Sequence, residues 1–349
     1  MKKIGMLVLS FSLLVVLVGC NGLSEGSFPK LNENDIVDMS TVEVAQMLET
    51  AMGETSTEDV YKITFSGDAD ILYNSSSLYG VTLETAIQTN FNVEGYFKLS
   101  DQVSESQINF NADMHLYFSN GTSSSDLLET FPATEFTFDG TVGAYLFESD
   151  AYLNYDLERT VSGQTVSLSA KQKVEDAISQ DDWASQFNVN DFVQPIYDVP
   201  EINSTNIEAF MEAYPAFTVY QSGEITFVQF DVSKDLLKTN FGALFTYMYE
   251  QENGVAPTDE TLNSAIADFN SQLDDNLSSI DVSLVFAIEE QKLVQFALEG
   301  HIVLNDDHDS NANMLLVFDY VSDIPGLPKD ADTYTLVPEI DLSPLMRTS

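Results

Sequence analysis

The sequence predicts an α+β protein with a large antiparallel β-sheet of about ten strands. Apolar residues alternate with mostly polar residues over residues 61–170, and they do so again over residues 282–320. This period of two is typical of strands that bury one face. The connections between the strands are short and rich in Ser, Asn and Gly, which favours an antiparallel meander. Between the two strand regions, the apolar spacing changes to that of amphipathic helices.

Helix signals precede and separate the strand regions. Ser40-Thr41-Val42-Glu43 matches a capping box, which predicts the start of a helix. Asp235 lies in the first turn of the clearest predicted helix, where an acidic residue is favourable. In chain order we predict helices at about 40–53, 174–187 and 204–214, a strand pair near 217–220 and 224–232, a helix at 233–250, and a second long helix with Leu262, Ile266, Phe269 and Leu273 on one face.

The N-terminus, MKKIGMLVLSFSLLVVLVGC, has the features of an export signal. Lys2 and Lys3 precede an apolar stretch of 15 residues at 4–18, which is shorter than the roughly 20 residues of a bilayer-spanning helix. A basic leader, a short apolar segment and a small residue before the break are typical of a secretory signal peptide. We therefore expect residues 1–19 to be removed as a signal peptide.

Leu17-Val18-Gly19-Cys20 resembles the lipobox of bacterial lipoproteins, and Cys20 is the only cysteine in the chain. The resemblance implies that the Cys20 thiol receives diacylglycerol, with acyl chains such as palmitate, and that cleavage makes Cys20 the new N-terminus. It also implies a stable anchor at the extracytoplasmic face of a bacterial cell membrane, because two or more acyl chains hold a protein there. The alternative is a cleaved signal peptide with an incidental cysteine. Residues 20–38 are polar and are interpreted as a lipidated tether.

The chain is strongly acidic. Its 56 acidic and 13 basic residues give a net charge of −43, which becomes −45 once Lys2 and Lys3 leave with the signal peptide. Such a charge repels nucleic acid, so we exclude nucleic-acid binding. The acids are spread along the chain, which favours a solvated coat suited to a saline medium over a set of sites for cations or basic partners. The hydrophobic content of 44% is enough for a substantial core, which argues against disorder.

Two stretches resemble parts of the LolA/LppX-like group of bacterial envelope proteins. GEITFVQFDVSKDLLKTNFGALF, residues 223–245, is a strand that runs into an amphipathic helix, and VSLVFAIEEQKLVQFALEGHIVL, residues 282–304, has the pattern of a hairpin of two long strands. The resemblance implies a half-barrel domain at 39–322, which is a strongly curved antiparallel sheet with helices packed on its concave apolar face. A Pro-containing tail at 323–349 follows. In the resembling proteins the concave face holds acyl chains or another apolar ligand, or it is simply filled.

Catalytic chemistry finds little support in the sequence, so we predict neither an enzyme nor a cofactor. His115 and His301 interrupt strands and are interpreted as hydrogen-bonded or surface residues; His308 is the third histidine. The chain has no nucleophile elbow, no His-Glu-x-x-His pair and no phosphate-binding glycine loop.

One segment and one residue have two interpretations, a structural role or contact with a ligand. In NDDHDSNAN, residues 305–313, Asp307, Asp309 and Asn311 alternate as at the start of a calcium loop. The segment lacks the later glycine and acid of such a loop, so a turn between strands is favoured over weak cation binding, and no metal site is predicted. For Trp183, a half-buried core position is favoured over a ligand-stacking platform.

An apolar face that is incompletely covered usually marks a binding site. We therefore expect a surface lipoprotein that binds a lipid or other hydrophobic ligand between sheet and helices. The alternative is a non-enzymatic structural or interaction lipoprotein whose half-barrel is filled by its own side chains, and the sequence names no protein partner. For the cluster of Phe241, Phe245, Tyr247 and Tyr249, a core position is favoured over a ligand wall. The expected lining residues are Leu237, Phe241, Leu244, Phe245, Met248, Phe286, Phe296 and Phe318.

Overall fold

The computed structural model describes residues 28–29, 31–53, 60–76, 81–98, 102–124, 134–161, 163–181, 203–305, 310–321 and 324–340. The predicted signal peptide, Cys20, Trp183 and His308 lie outside these residues. The chain divides into two compact units. We call the described residues within 28–53 and 203–319 the helical unit, and those within 60–181 and 320–340 the meander unit.

The protein is α+β with mostly antiparallel strands, as predicted. Its strands number twelve in the described part of the chain, which corrects the expected count of about ten. One addition is β12, which has two residues and is too short to show a period in the sequence. In chain order the strands are β1 Val60–Ser76, β2 Val81–Lys98, β3 Gln107–Ser124, β4 Thr134–Phe147, β5 Asp150–Val161, β6 Gln164–Val174, β7 Phe217–Ser222, β8 Ile225–Ser233, β9 Leu277–Glu289, β10 Lys292–Leu304, β11 Asn311–Val321 and β12 Thr335–Leu336.

Four α-helices lie in the helical unit, at α1 Thr41–Gly53, α2 Ser204–Ala213, α3 Lys234–Asn253 and α4 Asp259–Asn276. They confirm four of the predicted helices. The helix expected at 174–187 is wrong over residues 174–179, because Val174 ends β6 and the chain then turns, whereas residues 180 and 181 are helical. Residues 182–187 lie outside the described chain.

The predicted capping box begins α1. The Ser40 backbone N–H donates to Glu43 Oε2 at 2.9 Å, and the Glu43 N–H donates to Ser40 Oγ at 3.3 Å. Hydrogen bonds from the side chain and backbone of Ser40 lower the pKa of Glu43. Ser233 caps α3 by accepting from the Leu236 N–H at 3.3 Å. These bonds satisfy amide groups that a helix N-terminus otherwise leaves unpaired.

In the meander unit the strand order is β12-β6-β5-β4-β3-β2-β1. The pairs are antiparallel except for β12, which runs parallel to β6. Because side chains alternate along each strand, the registers give this sheet one apolar and one polar face. One apolar row is Phe65, Val93, Ala112, Val142 and Tyr155, and the neighbouring polar row is Thr64, Glu94, Asn111, Gly143 and Asn154.

The described part of the predicted C-terminal tail packs on the polar face of the meander unit. Tyr334 is 8% exposed and its ring meets that of Tyr152 edge-on, with centroids 5.7 Å apart. Asp330 forms an ion pair with Lys171. Asn109 Nδ2 donates to the Pro325 carbonyl at 3.4 Å. Residues 324–337 therefore form part of the folded meander unit.

In the helical unit the strand order is β11-β10-β9-β8-β7, and the pairs are antiparallel. A core joins α1 and α2 to one face of β7, β8 and β9. It consists of Val44, Ala45, Leu48, Ala51, Met211, Val219, Val228, Phe230 and Ile288. Four of these side chains come from α1 at the spacing of one helix face, which explains the apolar pattern of residues 44–51.

A phenylalanine row as the candidate apolar binding site

Five phenylalanines, one from each strand of the helical unit, form a continuous row on the sheet face that carries α1 and α2. Neighbouring ring centroids are 5.1–6.2 Å apart, within the range of favourable aromatic pairs. We call Phe217, Phe230, Phe286, Phe296 and Phe318 the phenylalanine row.

The row results from strand register. Phe217 lies opposite Phe230, and Phe286, Phe296 and Phe318 lie directly opposite one another on β9, β10 and β11. Phe230 reaches Phe286 diagonally across β8 and β9, since its direct partner is Leu284. Directly opposed and diagonal aromatic side chains are both close enough to interact across a sheet.

The two ends of the row differ in their contact with the core that α1 and α2 share with the sheet. Phe230 belongs to the core shared with α1 and α2, and Phe217 and Phe286 pack against that core. Phe296 and Phe318, at the other end, do not belong to that core, and they are partly buried, as Phe217 and Phe286 are. Leu298 and Met314 on the same face are each 7% exposed. The partly exposed rings of Phe296 and Phe318 therefore lie beside apolar side chains that are almost fully buried.

The other predicted lining residues belong to a hairpin of helices α3 and α4. Phe241 and Phe245 are 8% and 3% exposed and form the core of this hairpin. Phe241 stacks on Phe269 with centroids 3.8 Å apart and an interplanar angle of 6°. Met248 packs against the same cluster, whereas Leu237 and Leu244 are partly exposed.

Ion pairs fix one end of the α3–α4 hairpin. Asp274 on α4 pairs with Lys238 at 2.5 Å and with Lys234 at 3.0 Å. Lys238 first, and then Lys234, lower the pKa of the Asp274 carboxyl by hydrogen bonding. Lys234 Nζ also donates to the Leu277 carbonyl at 2.6 Å. The start of α3 is thereby held to the end of α4 and the first residue of β9.

Six of the eight predicted lining residues thus fall into two groups, and Leu237 and Leu244 belong to neither. Phe286, Phe296 and Phe318 lie together on the sheet, and Phe241, Phe245 and Met248 lie together inside the helical hairpin. Sequence reasoning missed Phe217 and Phe230 as members of the row. Their signal was present, because each occupies an apolar position in the predicted strand pair, but it needed the strand register to become visible.

The described histidines are hydrogen-bonded or at the surface, as predicted. His301 Nδ1 shares a hydrogen bond with Asn313 Oδ1. His115 Nδ1 lies 3.5 Å from Asp139 Oδ2 with nearly half of its side chain exposed. Within the described ranges, no three His, Cys, Asp or Glu side chains form a group that could hold a metal ion. Part of the proposed calcium-like segment, residues 306–309, lies outside those ranges.

No family model matches the chain, and no curated protein matches it. Among solved structures, the translocator domain of the autotransporter NalP from Neisseria meningitidis aligns over 83% of this chain and 100% of its own, with 6% identity and a TM-score of 0.19. A beta-barrel-like protein of a domain of unknown function, DUF1849, from Brucella abortus aligns over 76% and 98%, with 9% identity and a TM-score of 0.12. None of the helices in the described chain combines the length and apolarity needed to cross a membrane.

Proposed function

We propose that this protein is a membrane-anchored surface lipoprotein that binds a lipid or other hydrophobic ligand between sheet and helices. The observation that carries the proposal is that only one end of the phenylalanine row packs against the core shared with α1 and α2. Phe217, Phe230 and Phe286 contact the core that α1 and α2 share with the sheet, whereas Phe296 and Phe318 lie outside that core and are partly exposed. Covering apolar surface contributes roughly 25 cal/mol per Å², so an acyl chain laid along these rings gains affinity by burial alone.

The proposal includes two features that the family resemblance implies. The sheet curves as a half-barrel with its helices on the concave face, and the anchor is a diacylglycerol on Cys20 at the extracytoplasmic face of a bacterial cell membrane. The partly exposed Leu237 and Leu244 of α3 supply a helix surface for the ligand. The protein acts by shape and burial, without a catalytic group, cofactor or metal.

A second function, a structural or interaction lipoprotein with a filled interior, is favoured by a different observation. Phe241 and Phe245 are buried by the chain's own side chains. Two cavities formed by described residues lie in the meander unit, and neither is lined by a residue of the phenylalanine row. In this alternative, Phe296 and Phe318 contact a protein surface instead of a lipid.

Mass spectrometry of the full chain purified from membranes tests the anchor. The denatured protein should carry covalent acyl mass on an N-terminal Cys20, and metabolic labelling with an alkyne analogue of palmitate should label it. Cys20→Ser should abolish both signals. A wild-type chain that begins elsewhere, or that keeps an unmodified Cys20 in membranes, would refute the anchor.

Native mass spectrometry of the same preparation tests the ligand. A non-covalent adduct in the lipid mass range, absent after denaturation, should accompany the wild-type chain and be lost from Phe296→Ser. Phe110→Ser is the matched control, because Phe110 is a strand phenylalanine in the meander unit that is 37% exposed. An adduct that survives Phe296→Ser but not Phe110→Ser would place the ligand elsewhere. A wild-type chain without an adduct, even after incubation with phospholipid, would favour the filled interaction module.

A further inference from the structure

A polar groove crosses the polar face of the meander unit. It has a volume of about 360 Å³, and its polar lining consists of Asn92 and Glu94 of β2, Asn111 and Asp113 of β3, Thr141 of β4 and Asn154 of β5. The register places the polar members in two adjacent rows across four strands. This volume is at the lower end of the range for small-molecule sites.

Gly143 forms the floor of the groove. A Cβ atom at this position would collide with Asn154 Oδ1, lie 2.6 Å from the Tyr145 hydroxyl and lie 3.1 Å from Asn111 Oδ1. Three polar atoms from three strands therefore converge above a residue that has no side chain. The side chains of Asn154 and Tyr145 can pack over the backbone of residue 143 only because this residue is glycine.

One of these atoms has an unused hydrogen-bonding capacity. The Tyr145 hydroxyl donates to Asn111 Oδ1 at 2.6 Å, so its single proton is not available to the neighbouring Asn154. Asn154 Oδ1 is buried and accepts from no described group. A buried acceptor without a donor costs free energy, which rotation of the Asn154 side chain toward a bound hydroxyl or amide N–H would recover.

The lining is close to neutral in a chain of strongly negative charge. Glu94 pairs with Lys62 at 2.9 Å, and this hydrogen-bonded pair raises the pKa of Lys62, which keeps it charged. Asp113 is the other acid of the lining. The remaining polar side chains are three amides and one hydroxyl, each of which can both donate and accept. This chemistry matches a ligand whose own groups donate and accept, as sugar hydroxyls do.

We propose that this groove binds a short neutral saccharide. The amides of Asn92, Asn111 and Asn154 and the Thr141 hydroxyl exchange hydrogen bonds with its hydroxyl groups, and Asp113 accepts one more. The proposal is independent of hydrophobic-ligand binding, because it concerns different residues in the meander unit. A divalent cation is disfavoured, because a calcium site takes six to eight oxygen ligands with several carboxylates and this lining offers one unpaired carboxylate.

Saccharide binding is tested with the full chain in a detergent without a sugar headgroup. The probes are an array of neutral hexose and N-acetylhexosamine oligosaccharides, followed by calorimetry on the best binder. Asn92→Ala and Asn90→Ala form a matched pair, since both asparagines are exposed on the same face of β2 and only Asn92 lines the groove. Asn92→Ala should weaken binding about three- to tenfold, the effect of one lost hydrogen bond, and Asn90→Ala should leave it unchanged.

A second variant, at Thr141, tests the same groove independently of Asn92. Thr141→Val removes the hydroxyl with little change of shape and should weaken binding by a similar factor, with an unchanged circular dichroism spectrum. The proposal is overturned if no neutral saccharide binds at millimolar concentration. It is also overturned if Asn90→Ala and Asn92→Ala weaken binding equally, or if the groove variants alter only Ca²⁺ binding measured by calorimetry.

Discussion

Phe241→Ala should destabilise the α3–α4 hairpin by about 3–5 kcal/mol, the usual cost of removing a buried aromatic side chain. The magnitude follows from the surroundings of the ring. Phe241 is 8% exposed, stacks on Phe269 and contacts Phe245 with centroids 5.9 Å apart. The truncation leaves a cavity between two helices that the ion pairs of Asp274 hold in place, so the gap cannot close completely.

The assay combines urea unfolding of the full chain with amide hydrogen exchange resolved over α3 and α4. Phe210→Ala is the matched control, because Phe210 is also a helical phenylalanine but is 42% exposed; it should cost about 1 kcal/mol or less. A double-mutant cycle of Phe241→Leu and Phe269→Leu should give a coupling of about 0.5–1.5 kcal/mol. A loss below about 1 kcal/mol for Phe241→Ala, with unchanged exchange in both helices, would refute the packed hairpin.

Three further predictions concern a helix cap, a turn and the C-terminal tail. Ser40→Ala should cost about 1 kcal/mol and speed exchange in the first turn of α1, because it removes half of the capping box. Gln291→Gly should stabilise the β9–β10 hairpin by about 0.5–1 kcal/mol in urea unfolding, because Gln291 has a φ of 68° that glycine adopts without strain. The control variant Lys292→Gly should destabilise the hairpin, because Lys292 lies in the strand β10. Burial raises the pKa of Tyr334 to about 12, so its contribution to stability is complete below pH 10 and is lost between pH 10 and 12. Tyr334→Phe should remove one late step from the tyrosinate absorbance titration. An unchanged titration would contradict the buried position of Tyr334 in the tail.

Local sequence patterns were sufficient to predict the structure wherever a few neighbouring residues determine it. The α1 cap follows from Ser40 and Glu43 alone, since the bonds that make it span three residues. The N-terminal half of β2 was less visible. The strand begins at Val81, whereas clear alternation in the sequence begins only at Phe91, because Thr85 and Thr89 occupy positions on the apolar face. Threonine is nevertheless a good strand former, so the strand continues through them.

Features that depend on register or on distant segments could not be predicted. The phenylalanine row needs five strands aligned to within one residue, and a slip of one residue would move a ring to the opposite face. The tail contacts of Tyr334 with Tyr145 and Tyr152 join residues nearly two hundred positions apart. The polar groove depends on Gly143, which in the sequence resembles any other glycine in a strand.

The strong negative charge limits the ligands that either proposed site can accept, and salt dependence makes this testable. An anionic ligand approaching a chain with a net charge of −43 is repelled over roughly the Debye length, about 8 Å at physiological ionic strength. Neutral saccharides and neutral or zwitterionic lipids avoid this repulsion. Their affinities should therefore change less than about twofold between 50 and 500 mM NaCl, a range over which screening removes most long-range attraction between exposed charges. An affinity that falls steeply with salt would instead indicate a cationic partner, and the acidic surface would then be a binding surface rather than a solvated coat.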